Sequence, residues 1–162
     1  MKKILSIAVI IISMQASAQV SKVSLQASGL TCSMCSNSIN KALKTIDFVD
    51  KIEPNLKTYT FNITFKENTS IDFDLIRKKV EDAGFFVATF VATVQFNHAE
   101  LHENQLRLAD QTFIFLNDKV SHLNGIKQVK IVDRGFVSSR EYKRNTLYTS
   151  SNKIYHAILQ PS

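Results

Sequence analysis

Cysteine, proline and glycine are all scarce in this chain, at two, two and four of 162 residues, and tryptophan is absent. So little Gly and Pro excludes a collagenous or low-complexity chain and leaves small room for flexible linkers. Two cysteines cannot form a disulfide-dense scaffold. Long apolar runs are also missing. The longest, Ile4 to Ile12, is broken by Ser6 and is about half of the roughly 20 residues a membrane span needs, which argues against a permanent anchor. What remains, 44% hydrophobic and 21% charged, is ordinary globular composition, enough for one average domain or two small ones.

The apolar run belongs to an export leader. Lys2 and Lys3 precede it, and Ala16-Ser17-Ala18 follows with the small residues a signal peptidase reads. Residues 1–18 are therefore expected to be a signal peptide, and the mature protein to be periplasmic or secreted. Removing Lys2 and Lys3 lowers the formal charge from +6 to +4. The remaining cations are scattered, which predicts a solvated surface and no nucleic-acid partner.

Export sharpens the question of the two cysteines. Cys32 and Cys35 enclose only Ser33 and Met34. A loop that short removes little entropy from the unfolded chain, so as a structural staple it stabilises weakly. Chemistry explains the pair better. The segment between them and Ile46 carries Ile39, Ala42, Leu43 and Ile46 at helical spacing, so the cysteines stand at a helix start. There the helix dipole favours the thiolate form, and i, i+3 spacing lets both sulfurs face one point.

Around that helix the pattern reads β-α-β-β-α-β. Strands are predicted at Val20–Ser28, Phe48–Pro54, Thr58–Phe65 and Phe85–Phe96, with a second helix over Ser70–Ala83 ended by Gly84. This is the split βαβ, ferredoxin-like arrangement: an antiparallel sheet with both helices on one face. Gly29-Leu30-Thr31-Cys32-Ser33-Met34-Cys35 then resembles the GMTCxxC signature of heavy-metal-associated domains. Val80-Glu81-Asp82-Ala83-Gly84-Phe85 is similar to the AGF or AGY turn of the same family. The resemblance covers about residues 20–95, with Leu30 standing where the family usually has Met.

That resemblance implies a domain at 19–96 that binds a soft metal ion through Cys32 and Cys35, as copper chaperones, pump N-termini and periplasmic mercury-binding proteins do. Thiolates select Cu(I), and by extension Ag(I) or Hg(II), over hard cations; Zn(II) is possible but normally wants four ligands. A metal-donating or metal-accepting protein is the implied partner. The rival readings are a pair oxidised to a disulfide in an interaction module, and a thiol oxidoreductase. No nucleophile, base and orienting group occur together, so no enzyme is expected.

Residues 97–162 resemble no family. His98 and His102 are four apart, which on a helix would put both on one face, a geometry used in metal sites; the plainer reading is a polar connecting segment. His122 and His156 are expected to be structural. Strands are predicted at LRLA, Thr112–Val120, Ile126–Val132 and Lys153–Leu159, with Asn124-Gly125 as a turn. Ser138 and Glu141 suggest a capping box that opens a short helix. This pattern suits a small β-rich domain, with an OB-like barrel as its expected form. Arg134, Arg140, Lys143 and Arg144, interleaved with Phe136 and Tyr142, form either a solvated surface or an anion- or partner-binding face.

Overall fold

The computed structural model describes residues 18–31, 33–117, 120–144 and 148–161. The expected leader, apart from Ala18, lies outside the described residues. Eight strands and three helices follow in the order β1 (Gln19–Ser28), α1 (Ser33–Leu43), β2 (Val49–Asn55), β3 (Thr60–Phe65), α2 (Phe73–Asp82), β4 (Phe86–Glu100), β5 (Gln105–Leu108), β6 (Gln111–Phe115), β7 (His122–Ile131), α3 (Ser139–Arg144) and β8 (Ile154–Leu159).

The first half has the expected topology. Sheet order β2-β3-β1-β4 is antiparallel throughout. Strict alternation produces it: Val23, Leu25 and Ala27 on β1 and Phe61, Ile63 and Phe65 on β3 are buried, and the residues between them are not. Against that face α1 buries Ser36, Ile39 and Leu43, and α2 buries Phe73, Ile76 and Val80. Helix α2 starts three residues later than the periodicity suggested, because Asp72 caps it by accepting the Leu75 N–H at 3.0 Å.

The second half does not close into a barrel. Its strands continue the same sheet, in the order β2-β3-β1-β4-β7-β8-β6-β5, so β2 and β5 are its two edges. Strand β4 is the reason. It runs to Glu100, across the boundary expected at residues 96 and 97, and its inward residues Ala92, Val94, Phe96 and Ala99 are buried. β1 pairs with β4 only as far as Gln95, so β7 covers the other edge from Val91 to Glu100. β8, the last strand in the chain, lies inside this half, antiparallel to β7 and parallel to β6.

Asn124-Gly125 is not a hairpin turn either. Phe96 pairs with Gly125 and Ala99 with Leu123, so β4 carries one extra residue there, and the Asn124 side chain accepts the His98 N–H at 3.3 Å. His98 has φ 47, the mark of a β-bulge. No helix carries His98 and His102, so the shared helical face they would have needed does not exist. Phe136 is fully buried, so it is not part of a basic surface.

Helix α2 joins the halves. Phe73 packs against Phe90 at 4.9 Å, Tyr155 at 5.4 Å and Phe113 at 6.1 Å between ring centroids. The buried Tyr155 hydroxyl donates to Asp74 at 2.8 Å, and burial together with that carboxylate holds the phenol protonated. Arg77 bridges Asp74 and Glu81 and lies over Phe136, 5.6 Å from its centroid.

A second buried polar contact braces β8. Asp133 is fully buried, and its two carboxylate oxygens take the His156 backbone N–H at 2.7 Å and Nδ1 at 2.8 Å. Burial holds this carboxyl above the ordinary aspartate value of 3.8, against the pull of the His156 contacts. The folded protein therefore holds the proton more tightly than the unfolded chain, and this contribution to stability falls as pH rises from 3.8 through the raised value. Asp133→Ala removes both acceptors and leaves the His156 backbone N–H without its partner. It is expected to cost about 1–3 kcal/mol at neutral pH, read as a lower urea midpoint at unchanged slope.

Candidate metal site

Ser28, the last residue of β1, and Phe86, the first of β4, are register partners. Because these central strands are antiparallel neighbours, the loop leaving β1 and the turn entering β4 lie at the same end of the sheet. The Ser28 hydroxyl donates to the Phe86 carbonyl at 3.4 Å. Gly29 has φ +88, and a Cβ built on it would lie 3.9 Å from Cδ1 of Phe85. Two motifs over fifty residues apart in the chain are thus in contact.

The turn itself is a Schellman closure. Gly84 has φ +90, its N–H reaches Glu81 O at 2.8 Å, and the Phe85 N–H reaches Val80 O at 3.1 Å. Only glycine adopts that backbone without strain, and it turns the Phe85 ring back onto the core. Leu30, half-buried, packs on the same core from the loop.

Cys35 is the third residue of α1 and is half-buried. Its position follows from helical geometry. Ser36, Ile39 and Leu43 face the core, and about 100° of rotation per residue puts Cys35 on the margin and Met34 outside. Met34 is 78% exposed. Cys32, the other expected ligand, lies outside the described residues. Among the described residues no three or more His, Cys, Asp or Glu side chains come together to hold a metal. His98 stands in the β4 bulge, His122 opens β7 opposite Glu100, and His156 is engaged by Asp133.

Sequence reasoning passed over Ser36, which is buried next to Cys35 with no hydrogen-bond partner for its hydroxyl among the described residues. Its place one residue beyond the cysteine on the inward face was the available signal. Phe86, adjoining the turn, is 67% exposed, which a run dense in β-branched and aromatic residues does not reveal.

The heavy-metal-associated domain profile matches residues 24–86. The mercuric transport protein periplasmic component of Pseudomonas fluorescens is 32% identical over 88 residues, covering 52% of this chain and 93% of that protein. A probable copper-exporting P-type ATPase of Archaeoglobus fulgidus is 37% identical over 70 residues, 43% of this chain. The chain spans only 9% of that ATPase's length. Among solved structures, the yeast copper transporter domain Ccc2a, determined in apo and Cu(I)-loaded states, is 33% identical, with a TM-score of 0.37 over 41% of this chain and 90% of the domain. The chain belongs to the heavy-metal-associated domain family. Among the described residues no helix is long and apolar enough to cross a membrane.

Proposed function

We propose that this protein is an exported carrier that binds one Cu(I) through Cys32 and Cys35 and passes it to, or takes it from, a partner protein. The observation that carries the reading is the placement of Cys35 in the first turn of α1, just after the loop that leaves β1 beside the turn entering β4, within a domain of this family. Two thiolates select a soft ion, and a site on a helix margin leaves that ion open to attack by another protein's thiols. Relatives named for copper export and mercuric transport support soft-metal traffic. One of them is a periplasmic component, which suits the leader-like residues 1–18. The role is capture and exchange of an ion, with no covalent bond of a substrate made or broken.

The test uses the chain from Gln19, reduced and kept without oxygen, titrated with Cu(I) against a competing chelator. One equivalent bound by the wild type, and none by a Cys32→Ser/Cys35→Ser protein, is the expected result. Equal uptake by both proteins, or none by the fully reduced wild type, overturns the reading. Hg(II) run in parallel ranks the two soft ions.

A further inference from the structure

A cleft of about 800 Å³ separates α2 from the segment that carries α3. One wall is Ser28, Phe86 and Val87, the residues adjoining the metal-site loop and turn. Arg134 and Lys143 line the cleft, and both are exposed. Ser138, Tyr142, Thr149 and Ser150 add hydroxyls. Beyond α3 lies a second, shallower depression bordered by Arg140 and Arg144.

The charges here are unevenly settled. Arg77 is already held by Asp74 and Glu81, and the one acid of α3, Glu141, is taken by Lys130 at 2.6 Å. Arg134, Arg140, Lys143 and Arg144 have no carboxylate partner among the described residues. They belong to eleven consecutive residues, 134–144, and form a band that enters the cleft and continues past it.

We propose that this cleft and band bind an acidic polypeptide segment of a partner protein. The cleft has the volume of a ligand site, but the cations continue outside it, further than a small anion reaches. A flat anionic membrane cannot enter a concave site. A nucleic-acid strand carries a phosphate at every residue and needs a longer track of cations than the four of this band. Widely spaced side-chain carboxylates match separate cations on separate elements. A segment seated here lies against the residues that flank Gly29 and Phe85. That benefit to metal exchange rests on the carrier reading; the binding itself does not.

The test is therefore run on metal-free, reduced protein from Gln19 onward, with a short labelled peptide of alternating Glu and Ser followed by fluorescence anisotropy. Binding is expected, weakened about tenfold by Arg134→Glu/Lys143→Glu and by less than about twofold by Lys44→Glu/Lys57→Glu, exposed cations elsewhere on the chain. Equal weakening by both pairs reduces the effect to net charge and overturns the proposal, as does no binding. Tighter binding of inorganic phosphate, phosphatidylserine vesicles or a single-stranded oligonucleotide than of the peptide overturns it as well. Failure here with Cu(I) binding intact leaves the carrier reading standing.

Discussion

Phe73→Ala is expected to lower the stability of the whole chain by about 4 kcal/mol, with a single cooperative unfolding transition retained. Phe73 is fully buried and opens α2. Its ring touches Phe90 of the first half and both Phe113 and Tyr155 of the second. Truncation removes the transfer free energy of the ring and leaves a cavity that three aromatic neighbours, each held by further ring contacts, cannot collapse to fill. Against a typical total of about 5–15 kcal/mol, the loss is a large share. Urea unfolding followed by far-ultraviolet circular dichroism and by tyrosine fluorescence measures it. Tyr142, Tyr148 and Tyr155 report on the second half, and no tryptophan interferes. Two separate transitions, only one of them moved, would show that the halves fold independently in spite of their shared sheet.

The second large effect concerns the ion. On the carrier reading, Cys35→Ser is expected to weaken Cu(I) binding by far more than about a hundredfold, the upper range for losing a mere supporting contact to a metal ligand. Serine keeps the size and the helix start but replaces a soft, ionisable sulfur with a hard hydroxyl that stays protonated at neutral pH. Met34→Leu is the matched control. Met34 is its neighbour but points outward, so affinity should stay within about threefold of wild type. Chelator competition on both variants measures the difference. Comparable losses in the two would make the thioether a ligand and require α1 to unwind at its start.

Local pattern carried the first half far. Alternation at Val23, Leu25 and Ala27 and at Phe61, Ile63 and Phe65 identified strands that are half-buried for just that reason. Helical spacing located Ile39, Leu43, Ile76 and Val80 on inward faces. Ser138 does cap α3, accepting the Glu141 N–H at 3.2 Å, but only half of the expected box forms. The Glu141 carboxylate turns to Lys130 instead, and the Ser138 N–H goes to Ala88 O at 3.1 Å. A charged partner on a neighbouring strand outcompeted a local one, which no window of sequence displays.

Periodicity in this chain marked which residues turn inward, because side-chain direction repeats every 2 or 3.6 residues whatever lies opposite. It also placed a cysteine at a helix start and a glycine at a helix end, since caps and turns are built from neighbours in the chain. Strand partners are a different matter. Hydrogen bonds across a sheet join residues of any separation, so a long β4 looks the same in sequence whether its free edge meets solvent, a barrel or β7. The fold alone set Gly29 against Phe85, carried the sheet from four strands to eight, and seated Tyr155 on Asp74 across 81 positions of chain. Each of these contacts stabilises only once distant segments have already met, and that meeting is decided by the packing of the whole core.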